Sequence, residues 1–369
     1  MRVLFLTKNS YLPQLIGGAE WSVHHFVTGL NRMGHQVAVL SRLYNGGWIG
    51  LQNKIRRRLT GRACPVDSIM GYRTYRGWDL SRGLCETVST FRPDLVVVVA
   101  GIGVKPVPIA QEALAMGLPV LYMVMDVEFE SHGGPLTSLI GAQFTGNSCF
   151  TAQRLHDTFG ITPTVVYPAV DVSKCRVSGT GSKVVFINPR EKKGVMIMLA
   201  LAEARPDIPF VFYETWSAGS PAIKERAKRA SNIAWRTSVL DPRKVYEEAR
   251  IVMAPSQWEE AWGKIATEAQ LSGIPVIGSD IGGLTESIGD GGIRLPAKAP
   301  AAEWLAALEL LWGDPIQWEA HSRAALARAQ RPEIQLERQI EILDGLVRTI
   351  CESATGHVTT RLPHMMMAG

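Results

Sequence analysis

Short apolar runs alternate with amphipathic stretches along the whole chain. In the first half the runs are Val3 to Leu6, Val37 to Leu40, Leu95 to Ala100, Val120 to Val124 and Val165 to Tyr167, with Tyr72 to Tyr75 a weaker candidate. Leu95 to Ala100 is apolar at every position, the pattern of a strand covered on both faces. Between the first two runs Val23, Phe26, Val27 and Leu30 recur at helical spacing, and Gly34 supplies a stop. The second half repeats the theme with Val184 to Ile187, Phe210 to Tyr213, Ile251 to Ala254 and Val276 to Ile277. Strands alternating with helices predict parallel sheets with helices on both faces. Two such series predict an α/β protein of two Rossmann-like domains.

The boundary falls in the loop-rich stretch from Pro163 to Lys183, which holds Pro168 and the segment Ser178-Gly-Thr-Gly-Ser182. The expected division is 1–165, 166–340 and a closing segment 341–369. Past Trp304 the pattern turns helical, and the Met-rich end, 361–369, is expected to fray. A length of 369 residues suits two domains. A formal net charge of +5 is mild for that length and argues against a dedicated nucleic-acid binder. Cys64, Cys85, Cys149, Cys175 and Cys351 are scattered without a CxxC, which predicts free thiols in a reducing compartment. No apolar run approaches the roughly 18 to 20 residues that span a bilayer. The opening run is too short for a signal-peptide core. A cytoplasmic protein is the expectation.

Three segments carry candidate chemistry. Ile16-Gly-Gly-Ala-Glu20 sits between the first strand and the first helix, where paired glycines admit close backbone approach and helix amides meet an anion. Its spacing is not GxGxxG, so a nicotinamide fingerprint is missing where a dehydrogenase carries it. Asn188-Pro-Arg-Glu-Lys-Lys-Gly194 places Arg190, Lys192 and Lys193 at a strand's C-terminal end, where open α/β sheets bind ligands. Pro255-Ser-Gln-Trp-Glu-Glu-Ala-Trp-Gly-Lys-Ile-Ala-Thr-Glu268 sets Glu260 in a loop and Glu268 just over a turn into a helix. That helix begins near Gly263, with Lys264 beside its phosphate-facing amides, and Gly273 ends it. Read singly, each segment is equally a glycine turn, a solvated basic loop or an acidic helix start. His24, His25, His132 and His156 show no metal-ligand spacing, and no metal or cofactor is expected.

Taken together, Glu260 and Glu268 within Pro255-Ser256, Trp262-Gly263 and Gly273-Ile-Pro-Val276 resemble the Glu-x7-Glu signature of family 4 retaining glycosyltransferases. Ser279-Asp-Ile-Gly-Gly-Leu-Thr-Glu286 is similar to the Gly-Gly-x-x-Glu loop that follows it there. Gly17-Gly18-Ala19-Glu20, Gly34-His35-Gln36-Val37 and the 165–171 segment resemble the family's N-terminal domain and linker. The resemblance implies the GT-B fold, two Rossmann-like domains with parallel sheets facing across a cleft. It makes 1–165 the acceptor side, 166–340 the nucleotide-sugar side, and returns the last helix to the first domain.

It also implies roles. Lys193, with Arg190 as helper, would stabilise the leaving diphosphate; Glu260 would hold the transferred sugar, and Asp126 stands at a catalytic position. Gly17, Gly18, Asn188, Gly263, Lys264 and Glu268 would bind the nucleotide sugar, Glu268 through its ribose, and the motif sets Trp262 at the cleft. The expected donor is a UDP or GDP sugar, and the acceptor a glycan, a lipid-linked sugar or a small molecule, in bacterial polysaccharide or glycoconjugate synthesis. Two positions depart from the family: Asn188 replaces an arginine, and Met125 replaces the histidine before Asp126. They keep open a non-catalytic nucleotide-sugar binder or a GT-B epimerase. The basic run Lys54-Ile-Arg-Arg-Arg-Leu59 with Arg62 is either a solvated face or a peripheral contact with the inner membrane face.

Overall fold

The computed structural model describes residues 1–101, 104–179, 181–214, 220–237, 239 and 241–359, the last five by backbone alone. Each half builds one sheet. The first contains β1 (Arg2–Ser10), β2 (Gln36–Arg42), β3 (Val66–Asp67), β4 (Thr74–Gly77), β5 (Leu95–Ala100), β6 (Val120–Val124), β7 (Gln143–Gly146) and β8 (Thr164–Val165). Its order is β3-β4-β2-β1-β5-β6-β7-β8, parallel throughout except for β3 against β4. The second contains β9 (Lys183–Ile187), β10 (Phe210–Tyr213), β11 (Ile233–Arg236), β12 (Ala249–Ala254), β13 (Val276–Ser279) and β14 (Gly292–Leu295). It is parallel in the order β11-β10-β9-β12-β13-β14. This is the GT-B architecture that the alternation of runs and the motifs predict.

Strand periodicity explains the two-sided cores. Leu4 and Leu6 of β1 pack with Val96 and Val98 on one face, while Val3 and Phe5 pack with Val97 and Phe26 on the other. β5 is buried at every position, as its unbroken apolar run requires. In each sheet the order reverses beside the first strand, so the C-terminal ends of β1 and β9 open onto crevices where such sheets take ligands.

The edges depart from the apolar pattern. The 72–75 run pairs as Thr74–Gly77, and only Val165 of the 165–167 run joins a ladder. Beyond it the Tyr167 amide donates to Gln339 Oε1 at 2.7 Å, and Pro168 has no N–H to continue pairing. β7, β11 and β14 are short and half exposed, so their sequences lack an apolar run.

Two helices of the first half matter below: α1 (Gly18–Arg32) and α2 (Gly47–Thr60). The terminal helix, Leu336–Thr359, starts ahead of the 341 boundary and packs on the first half. Leu336, Ile340, Leu343, Val347 and Cys351, at helical spacing, join the core of Val3, Phe5 and Phe26. Asp344 adds a polar tie, its Oδ1 lying 2.5 Å from Nε2 of the buried His35 at the head of β2. Residues 360–369, expected to fray, lie outside the described residues. No helix among the described residues is long and apolar enough to cross a membrane.

Leu343 is fully buried at this seam. Replacing it with alanine should cost about 2 to 5 kcal/mol, the range for truncated core leucines. A denaturant titration followed by circular dichroism checks this; an unchanged midpoint would detach the terminal helix from the first core.

Candidate active site

A cavity of about 1240 Å³ lies between the halves. Its first-half wall is the turn after β1, the start of α1 and the residues Arg42 to Asn45 beyond β2. Its second-half wall includes Tyr213, Asp241, Arg243, Tyr246, Lys264 and Glu268. Asp171, Lys174 and Cys175 of the connecting segment close one side.

Gly17 precedes α1 in extended conformation, with no side-chain cap on the helix. A Cβ at this position would collide with the Glu20 carboxylate, so glycine lets Glu20 fold back toward the helix start. Glu20 is buried, and that burial pushes its carboxyl up to about 7, against its own backbone N–H and the charge of Lys264. His25, one turn further, is driven down to about 4 by burial and then by Lys264, opposed by its hydrogen bond to the Ala169 carbonyl. At neutral pH the imidazole is therefore uncharged.

Across the cavity, Gly263 has φ +90°, a left-handed conformation that lets the chain turn sharply into the Lys264–Gln270 helix. Lys264, its first residue, lies against Gly18 of the opposite half and 3.7 Å from Glu268 Oε1. Glu268 Oε2 accepts from the Tyr246 hydroxyl at 2.6 Å. Burial and then Glu268 hold the Tyr246 phenol well above its ordinary range, so it stays a donor that fixes this carboxylate.

A second group gathers at the end of β9. Lys193 Nζ is 2.8 Å from Glu260 Oε2, and both side chains are largely buried. Lys192 and Lys193 lie over the Trp258 ring at 4.0 and 4.8 Å. Lys192 also reaches Glu128 of the first half at 3.6 Å. Asn188 takes φ +65°, and its buried Oδ1 has no hydrogen-bond partner among the described residues. Arg190 follows at the entry to the short turn carrying Lys193.

Of the residues singled out by sequence, Gly17, Gly18, Lys264 and Glu268 line the cavity, and Gly263 positions the last two. Lys193, Glu260, Arg190 and Asn188 form the neighbouring group. Asp126 is brought to neither: it is 3% exposed, and its Oδ1 accepts from His132 Nε2 and the Glu128 amide, each at 3.0 Å. Trp262 is buried at the junction of the halves, donating to Thr267 and packed at 4.9 Å against Tyr167 with the rings tilted by 51°. Sequence reasoning missed Tyr246, Asp241 and Arg243, which sit in no motif. Glu20 and His25 stood in view, but only their burial against Lys264 marks them. Among the described residues no group of three or more His, Cys, Asp or Glu is placed to hold a metal ion.

An α/β protein of two parallel sheets with a cleft between its halves is of the GT-B class. Residues 17–156 match the family model "Glycosyl transferase 4-like domain", and 184–314 match "Glycosyl transferases group 1". The chain belongs to the GT-B glycosyltransferases that these models describe. It is 36% identical over 104 residues to the D-inositol 3-phosphate glycosyltransferase of Nocardia farcinica, covering 26% of this chain and 23% of that protein. The Rhodococcus erythropolis protein of the same name is 27% identical over 248 residues, 58% of this chain and 54% of its own. The chain thus spans from about a fifth to about half of the length of these relatives. Anabaena HepE, solved with UDP and glucose, superposes with TM-score 0.73 at 16% identity over 95% of this chain and all of that one. Sucrose-phosphate synthase of Thermosynechococcus elongatus gives 0.72 at 13% over 96% and 100%. At such identities the likeness is one of fold.

The raised Glu20 carboxyl sets a pH dependence with a definite sign. The folded state keeps a proton that the unfolded chain releases near the ordinary value, so this contribution falls as pH rises from about 4.5 through 7. Wild type should lose about 2 to 3 kcal/mol relative to Glu20→Gln between roughly pH 5 and 8. His25 acts with the opposite sign but is common to both proteins. Denaturant midpoints at the two pH values measure the difference; parallel curves would mean that Glu20 is ionised in the folded protein.

Proposed function

We propose that this chain is a retaining, metal-independent glycosyltransferase that moves a sugar from a UDP or GDP sugar to a glycan, lipid-linked or small-molecule acceptor. The observation carrying the reading is the meeting of Lys264 and Glu268 with the Gly17–Gly18 start of α1 across one cavity, beside the Lys193–Glu260 pair. Anabaena HepE, a fold neighbour, has been solved with UDP-glucose.

The reaction breaks the bond between the anomeric carbon and a phosphate oxygen and forms a new bond to the acceptor oxygen on the same face. Charge gathers on the leaving diphosphate, where Lys193, Arg190 and Lys264 offset it in a site shielded from water. Glu268, oriented by Tyr246, accepts from the ribose hydroxyls, and Glu260, oriented by Lys193, from the transferred sugar. The acceptor's proton passes to the leaving phosphate oxygen, so no separate protein base is needed. Asp126, buried and bound to His132, would act by shaping the loop after β6. That withdrawn carboxylate also favours the second reading, a nucleotide-sugar binder without transfer.

A nucleoside diphosphate at a hundred times its dissociation constant should add about 2.7 kcal/mol of stability, seen as a thermal shift with UDP or GDP. The shift should shrink sharply in Glu268→Ala; stabilisation by NAD alone would end the transferase reading. Lys193→Ala should lower the turnover of sugar-nucleotide cleavage by about a hundredfold to a thousandfold, as lost oxyanion donors do. Binding without any turnover in wild type would select the non-catalytic reading, and the anomeric configuration of the product, read by proton NMR, tests retention.

A further inference from the structure

Helix α2 is mounted with its apolar face outward. Trp48, Leu51, Ile55 and Leu59 follow one another at helical spacing and are 69, 48, 50 and 80% exposed. The residues it buries against the protein are Gly50 and Asn53, one without a side chain and the other polar. Folding ordinarily places such faces the other way round. The stripe is not scattered surface hydrophobicity, because its spacing makes it one continuous ridge about 17 Å long at 1.5 Å per residue.

Charge on and around the ridge has one sign. Lys54, Arg58 and Arg62 are exposed, Lys54 and Arg58 along one flank of the ridge and Arg62 just beyond its end. Arg57 lies over the Trp78 ring at 5.1 Å, and Arg56 donates to the Val66 carbonyl at 3.2 Å. From residue 42 to residue 66 the chain holds no Asp or Glu. An amphipathic helix with a Trp-Leu-Ile face and a cationic flank has the chemistry of an element lying in the headgroup layer of an anionic bilayer. A basic protein surface recognising nucleic acid would not set bulky aliphatic side chains outermost.

We propose that α2 docks this protein on an anionic lipid surface, Trp48, Leu51, Ile55 and Leu59 entering the acyl boundary and Lys54, Arg58 and Arg62 meeting headgroup phosphates. The position of the helix gives the docking a purpose. Tyr44 and Asn45, which line the cavity between the halves, immediately precede α2, and Trp78 joins the cavity wall to Arg57. The cavity wall is therefore continuous with the segment that carries α2, and docking there would bring an acceptor carried on a lipid close to it. That last step rests on the transferase reading; the docking itself does not.

The test is flotation of the whole chain with vesicles of phosphatidylcholine alone, or with about one third phosphatidylglycerol. Binding should require the anionic lipid and weaken as salt rises from about 0.05 to 0.5 M. Lys54→Ser, Arg58→Ser and Arg62→Ser should each lower affinity about fivefold, and together about a hundredfold. The combined Trp48→Ser, Leu51→Ser, Ile55→Ser and Leu59→Ser variant should not float, while keeping its circular dichroism and its UDP or GDP shift. Equal binding to neutral vesicles, no binding to anionic ones, or flotation of that serine variant would overturn the proposal. So would a dimer, seen by light scattering without vesicle binding, that the serine variant dissolves. A protein that floats but takes no nucleoside diphosphate would instead remove the transferase reading and leave the docking in place.

Discussion

Glu286 ties the two halves together through one carboxylate. Its carboxylate belongs to the second half but sits at the start of the Cys149–Phe159 helix of the first. There Oε2 accepts from the amides of Cys149 and Phe150 at 2.9 and 3.5 Å, and Oε1 from the Tyr167 hydroxyl at 2.5 Å. A carboxylate withdrawn from water needs such donors to offset lost hydration, and a helix start supplies amides with a favourable dipole. The same turn adds a second bolt, Ser148 Oγ donating to the Ala261 carbonyl at 2.6 Å while also capping the helix. Ala261 lies between Glu260 and Lys264, so the bolt directly fixes the loop that carries both.

This junction is polar, whereas the terminal helix contributes the apolar part. The chain passes between the halves twice, through the segment after β8 and through the residues before Leu336. Gln339 joins these passages: it is fully buried, accepts from the Tyr167 amide and donates to the Glu333 carbonyl. The two crossings therefore form one hydrogen-bonded seam at the edge of the cleft.

What the sequence reveals divides along the range of the interactions involved. Buried strands such as β5 advertise themselves because both faces are covered, so every residue is apolar. β7, β11 and β14 do not, since short strands that satisfy one face with solvent take whatever side chains suit it. Lys193, Glu260, Gly263 and Glu268 were legible because a few consecutive turns hold them and their spacing is local. Tyr246 could not be found in that way: its pairing with Glu268 depends on separate elements brought together by the second fold. Asp126 stands apart from both groups because His132, six residues on, holds it inward. Glu20 and His25 become unusual only through burial in the folded chain, which no local spacing announces.

The orientation of α2 is harder to reconcile with stability than any other feature of the chain. Fully burying a Leu or Ile side chain contributes roughly 1.5 to 3 kcal/mol, and Leu51, Ile55 and Leu59, 48 to 80% exposed, forgo half or more of it. A whole domain is stable by only about 5 to 15 kcal/mol. The fold instead presents Gly50 and Asn53 inward, and Asn53 uses its amide to bond Ile49 of its own helix while its Oδ1 finds no partner among the described residues. An arrangement that forgoes apolar burial and leaves a buried polar atom unsatisfied has no account within the isolated chain. It has one if the ridge is completed by a second apolar phase outside the protein, and the cationic flank names the sign of the surface that phase must carry.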